Sequence, residues 1–337
     1  MKEVSKVSVF KKILRSKAFP LIILLLILIA LFTVLANMNN AKFFSSTTFF
    51  RILDDLAIPG FLTIGAGCLI VSGAIDISQA TVGGLAAVVV AIGSSWWGFP
   101  WYASTILAIV LSALFGLCSA ILVNELRFQP FIATMAMSTI ATAVIYLLQT
   151  QPNGQIMGIV SFFNREMVSV VTYRVFGQIS ALALITIVLF AVYGLMLAKS
   201  KFGRTLYLIG GNPVAARLTG IKSKGLSYAL FINCSILSGF SGLIFAFRTQ
   251  QATSQSLAGY QFTGMTAAIL GGISFGGGSG GLGGAFVALL VIRTFSMGMT
   301  IGLASPYLTN VLQGGLLLAA LSFDYYSLRR QQKRVGA

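Results

Sequence analysis

The chain has 337 residues, of which 57% are hydrophobic and 9% charged, and its mean hydropathy is +0.91. A soluble domain carries about 25% charged residues, so a water-soluble globule is excluded. Histidine is absent, which removes histidine bases, histidine-ligated zinc and Ser-His-Asp triads, and the seven acids (Glu3, Asp54, Asp55, Asp76, Glu125, Glu166 and Asp324) are too scattered for a metal cage or a catalytic pair.

The net charge of +16 does not point to nucleic acid, because the basic residues lie between apolar runs rather than on a face interleaved with exposed aromatics. Residues 1–18 form a basic segment with Lys2, Lys6, Lys11, Lys12, Arg15 and Lys17. The apolar run after it, Phe19–Ala36, is longer than a signal-peptide core and reads as an uncleaved helix. The second span, Leu56–Ser72, leads to Asp76. That acid has two readings: an ion or proton site at membrane depth, or a cap on the positive N-terminus of the third helix. The third span, Ala80–Gly93, is short enough to be a break or a re-entrant piece. Trp96, Trp97, Trp101 and Tyr102 follow in one turn, where amphipathic rings anchor at the headgroup level. The fourth and fifth spans, Ala103–Asn124 and Pro130–Leu148, flank Arg127, and the sixth is Ile179–Ala198. Cys68, Cys118 and Cys234 lie in separate apolar segments, where a free thiol behaves as a small hydrophobe.

The loop Lys199–Lys224 is the most informative soluble piece. Asn212 suits an N-cap, Pro213 the first helical position and Gly220 the C-terminal stop, so the sequence specifies a short helix over Pro213–Thr219. On spacing alone it is equally a lever that docks into a cytosolic partner and a surface loop with a chance helical turn. The seventh and eighth spans are Leu226–Phe247 and Phe262–Phe275, the eighth again short. Gly271–Gly284 (GGISFGGGSGGLGG) meets the spacing of a dinucleotide fingerprint but lacks the preceding strand and any Gly-Lys-Ser/Thr; it reads as a tight connection where dense glycine lets helices approach. The ninth span, Leu282–Leu303, carries Arg293 about halfway along, where a charge costs roughly 2.5–3.5 kcal/mol unless it faces the bundle interior. The tenth, Tyr307–Phe323, precedes a basic tail over 326–337.

These segments make an all-α integral membrane domain of about ten transmembrane helices over residues 19–325. With alternating crossings, seventeen Lys and Arg fall on one side and five (Lys42, Arg51, Arg165, Arg174 and Arg248) on the other, so the positive-inside rule puts both termini in the cytoplasm.

The stretches around Asp76, Glu125–Thr134 (ELRFQPFIAT), Gly210–Ile221 (GGNPVAARLTGI) and Leu270–Gly277 (LGGISFGG) resemble the permeases of the ribose-type ABC importers, in order and with similar spacing, from the second span to Asp324. The resemblance implies a large-type fold like that of the cobalamin importer, in the bacterial cytoplasmic (inner) membrane. It makes Gly211, Asn212, Pro213, Val214, Ala215, Ala216, Arg217, Leu218, Thr219 and Gly220 the ATPase-coupling segment. It also implies a second permease subunit, identical or related, two cytosolic ATPase subunits that carry ATP and Mg, and an external solute-binding protein. The chain itself needs no cofactor or metal, and it binds lipid rather than nucleic acid. Arg51, Arg165, Arg174 and Arg248 are candidates for docking the binding protein. Asp76, Gln261 and Arg293 are candidates for the solute pathway, and five of the family's usual residues are replaced nearby, by Gln261-Phe262, Ala74 and Gln79-Ala80. An ion-coupled secondary transporter is the alternative, which needs midplane acids or inverted repeats that the chain barely offers. An intramembrane enzyme needs a nucleophile or paired acids at depth, which it lacks.

Overall fold

The computed structural model describes residues 19–38, 42–151, 153–175 and 177–301, with isolated positions 311, 314, 315, 318 and 322. The N-terminal segment 1–18, the tail 326–337 and, apart from those five positions, the expected span Tyr307–Phe323 lie outside the described residues.

The apolar runs become helices in chain order: α1 (Phe19–Met38), α2 (Ser46–Asp54), α3 (Ala57–Val71), α4 (Gln79–Ser95), α5 (Trp101–Asn124), α6 (Pro130–Gln149), α7 (Arg165–Thr172), α8 (Ala181–Lys199), α9 (Lys201–Gly211), α10 (Pro213–Leu218), α11 (Ser223–Thr249), α12 (Tyr260–Leu270) and α13 (Leu282–Ile301). Among the described residues α1, α5, α6, α8, α11 and α13 are long and apolar enough to cross a membrane, and α2 with α3, bent by 46° at a short break, make a seventh if counted as one span. The chain is a multi-pass membrane protein, and among the described residues fewer helices reach full length than the nine expected segments that fall there. The difference has physical causes. At 1.5 Å per residue the 11 residues of α12 reach about 16 Å, half the hydrocarbon thickness, and α4 stops at 17 residues.

The packing is the reverse of a soluble bundle. On α5 the buried residues Ser104, Ala108, Ser112, Gly116 and Ala120 recur every fourth position, while Ile106, Val110 and Leu114 stand 62%, 49% and 47% exposed on another face. In lipid, large apolar side chains gain nothing by turning inward, so small residues take the helix contacts and let backbones approach. A Cβ on Gly116 would come within 2.8 Å of Ile232 and Ser235 of α11. All 15 residues of α3 are buried, α4 is buried over most of its length and α11 over much of the stretch from Leu230 to Phe247, so these three form the centre, with α5 packed on α4 and α11.

Two small antiparallel ribbons lie at one end. β1 (Val160–Ser161) pairs with β4 (Gln251–Ala252), and β2 (Arg174–Val175) with β3 (Ile179–Ser180). The short helices α2 and α7 cap this end, each started by a side chain: Ser45 accepts from Thr48 N and Asn164 from Met167 N.

Candidate functional site

The opposite end carries α9 and α10. Ser200 alone separates α8 from α9, and its hydroxyl accepts from Gly203 N at 3.0 Å; Asn212 alone separates α9 from α10, and its Oδ1 accepts from Ala215 N at 3.0 Å. Proline at the first position needs no donor there. The helix stops with two crossed bonds, Ile221 N to Ala216 O at 3.2 Å and Gly220 N to Arg217 O at 3.0 Å, with Gly220 at φ +79° as the left-handed residue this stop requires. The expected helix Pro213–Thr219 thus forms as Pro213–Leu218, with Thr219 as its cap.

The ten residues of the coupling segment do not share one face. Ala216 is only 4% exposed and turns into the chain, whereas Ala215 is exposed and Val214 and Leu218, one turn apart, are 67% and 84% exposed. Two bare aliphatic side chains on a polar loop are left largely uncovered by the described residues. Helix α9 was not anticipated, although the Ser200 cap and the burial-prone Leu206 signal it. Nearby, Lys224 donates to Glu125 Oε2 at 2.8 Å and the Tyr228 hydroxyl donates to Glu125 Oε1 at 3.2 Å, joining the end of α5 to the start of α11. The Lys224 hydrogen bond holds the exposed Glu125 carboxyl below its ordinary value.

At the ribbon end the arginines converge. Arg174 pairs with Asp54 at 3.2 Å and also donates to Gln178 O at 2.6 Å, and Arg248 donates to the Asp54 carbonyl at 2.8 Å. With Arg51 and Asp55 they line a cavity of about 390 Å³. Arg165 is not among the lining residues; it opens α7 and is exposed. Arg51 and Arg165 form no ion pair among the described residues, whereas Arg174 is held by Asp54. Arg293 of α13 is half-buried, with its guanidinium 5.3 Å from the centre of the Tyr260 ring, and its charge reaches Asp55. Beside Tyr260, the Gln261 side-chain oxygen is buried without a hydrogen-bond partner among the described residues.

Asp76 lies beyond the other end of α3. Asp55 and Asp76 flank its 15 residues, about 22 Å of helix, so the pathway candidates Asp76, Gln261 and Arg293 do not meet at one point. Asp76 is 2% exposed, and its Oδ1 accepts from Ser78 N at 2.8 Å and Ser78 Oγ at 2.6 Å. The cap reading is not met: the carboxylate folds over Ser78, the residue that precedes α4, and no side chain caps the first turn of that helix. Its Oδ2 has no partner among the described residues. Cys234 does more than pack, since Gln79 Nε2 donates to its sulfur at 2.6 Å. No group of three metal-ligating side chains occurs among the described residues.

The family model described as "Branched-chain amino acid transport system / permease component" matches residues 48–321. The chain is 27% identical to the fructose import permease protein of Rhizobium meliloti over 316 residues, 92% of this chain and 85% of that one. It is 28% identical to the ribose import permease protein of Bacillus subtilis (86% and 88% covered) and 26% identical to the galactose/methyl galactoside import permease protein of Salmonella typhimurium (93% and 94%). No solved structure matches the chain significantly.

Proposed function

The chain belongs to the family of branched-chain amino acid transport system permease components, and from that premise we propose that it is the membrane-spanning permease subunit of an ABC importer for a monosaccharide. The observation that carries the reading beyond family membership is α10: a helix fastened at both ends, with Val214 and Leu218 bare at the polar end of the bundle. A firmly capped helix with an unpaired apolar face suits a groove on an ATPase subunit. ATP binding there draws two ATPase subunits together, and the permease pair alternates between outward and inward opening. ATP and Mg belong to those partners, and this chain carries out no covalent chemistry.

In this reading the α9–α10 end is cytoplasmic, both termini are cytoplasmic, the membrane is the bacterial inner membrane, the fold is cobalamin-importer-like, and a second permease copy or relative shares the pathway. The ribbon end then faces the solute-binding protein. Arg51 and Arg165 are the better docking candidates, because Arg174 and Arg248 already bond to Asp54. Rim charges act on encounter rate. Reversing Arg165 should therefore raise the binding-protein concentration for half-maximal uptake.

A second reading, ion-coupled transport, draws on Asp76, a buried carboxylate with one oxygen unpartnered among the described residues. Uptake of labelled fructose, ribose and galactose into vesicles holding the assembled complex separates the two. The proposal expects uptake of at least one sugar with internal ATP and none with an ion gradient alone; uptake driven by the gradient without ATP would overturn it.

Arg293 is placed by the same reading near the outer half of the pathway. Arg293→Met keeps the volume but removes one of three arginine charges that offset Asp55, leaving Arg248 and Arg51, and weakening the compensation of a partly buried carboxylate is costly. Uptake should fall roughly tenfold with normal membrane levels, and adding Asp55→Asn should recover part of it. Parental uptake by Arg293→Met would remove Arg293 from the pathway.

A further inference from the structure

We propose that Tyr207, Gly210 and Gly278 form the joint through which movement of α10 reaches the membrane helices, a proposal that rests on α10 being the ATPase contact. Asn212 is the single residue between α9 and α10, so a displacement of α10 passes directly into α9. The end of α9 is not free to swing. A Cβ on Gly210 would overlap the carbonyl oxygen of Val71, the last residue of α3, and lie 2.6 Å from Gly278 N. Gly278 N itself donates to that same Val71 oxygen at 2.9 Å. A Cβ on Gly278 would stand 2.5 Å from Gly211 Cα, and one on Gly277 2.9 Å from Gly73 N. One turn before Gly210, the Tyr207 hydroxyl donates to the Gly280 carbonyl at 2.7 Å.

Three segments therefore meet backbone against backbone: the end of α9, the end of α3, and the turn that leads into α13. Side chains absorb small shifts by changing rotamer, but backbone in van der Waals contact cannot, and close-packed protein transmits the strain. Gly277, Gly278 and Gly280 all hold positive φ, which a substituted residue would adopt only under strain. From this joint two lines lead outward. Val71 continues through Gly73 to Asp76 and the start of α4, and Gly280 continues into α13, which bears Arg293. Two of the three pathway candidates, Asp76 and Arg293, are thus mechanically downstream of one contact. Spatial adjacency alone does not establish energetic coupling, so the test reads coupling itself.

The complex with its ATPase subunits and binding protein is reconstituted in proteoliposomes, and ATP hydrolysed per labelled sugar imported is measured, with the sugar the parent carries among fructose, ribose and galactose. Tyr207→Phe removes one hydroxyl and keeps the ring. Losing a single hydrogen bond at the joint should raise the ATP-to-sugar ratio about threefold to tenfold, with hydrolysis near the parent's. Gly210→Ala strikes the same joint from the backbone side, should give a larger rise, and carries the test if the tyrosine variant assembles poorly. A merely structural role would lower hydrolysis and uptake together and leave the ratio unchanged; that result, or parental behaviour of both variants, overturns the proposal. Leu218→Glu and Ala215→Glu are the controls for its premise: if both transport normally, the assignment of α10 falls and the joint with it, whereas a coupling defect confined to these two variants sinks only the joint.

Discussion

Leu218→Glu is expected to abolish sugar uptake by the assembled importer, by roughly a hundredfold or more, while the permease reaches the membrane at the parental level. Leu218 is 84% exposed, so its own fold loses nothing when it becomes polar. Against an apolar groove of an ATPase subunit the outcome differs, because a carboxylate desolvated there without a partner costs several kcal/mol, and each 1.4 kcal/mol is a factor of ten. Ala215→Glu should behave in the same way, since Ala215 is exposed beside it. Ala216→Glu should not. Ala216 is 4% exposed and faces its own chain, so a charge there should lower the amount of folded permease before any docking is tested. The measurement pairs uptake with copurification of the ATPase subunit on tagged permease. Parental uptake by both Leu218→Glu and Ala215→Glu would remove α10 as the contact.

That distinction between Ala215 and Ala216 marks where sequence reading stops. Asn212, Pro213 and Gly220 carry local chemistry, a side-chain acceptor, a missing donor and a tolerance for positive φ, and such signals place a helix to within one residue. Which side of a six-residue helix faces inward depends on what α9 packs against, and no local residue states that. The apolar runs were legible for the same reason: twenty residues without charge must cross lipid or lie buried. The convergence of Arg51, Arg174 and Arg248 on Asp54 and Asp55 was not legible, because it joins α2, β2 and α11 across up to 194 positions of sequence. Arg293 gave half its answer. Its cost in lipid requires an inward orientation, and it is half-buried against Tyr260, but a hydropathy argument cannot name the aromatic ring or Asp55 as what it meets. The glycine-rich stretch before α13 likewise announced close approach without saying that α9 and α3 would be the neighbours.

The glycines within the spans support the largest stability effect. Gly83 of α4 and Gly242 of α11 meet where these two central helices cross, and a Cβ on Gly242 would overlap the Gly83 carbonyl. A Cβ on Gly83 would likewise lie 2.7 Å from the Ser238 carbonyl. The obstacle is backbone on both sides, so relief requires α4 and α11 to part, and both are buried against α3 or α5 as well. Gly242→Ala should therefore destabilise the permease despite alanine's better helix propensity. Overpacking of this kind costs about 1–3 kcal/mol, and more for Gly242→Val, which should not accumulate in the membrane. Gly225 supplies the internal control. It lies on the same helix with nothing within 4 Å of its would-be Cβ, so Gly225→Ala gains about 0.5–1 kcal/mol of backbone entropy and meets no clash. Thermal unfolding of the detergent-purified proteins should place Gly242→Ala about 5 °C or more below the parent and Gly225→Ala at or above it. If the two alanine variants unfold together, α4 and α11 are not in backbone contact at this crossing, and the small-residue logic that organises the bundle fails at its centre.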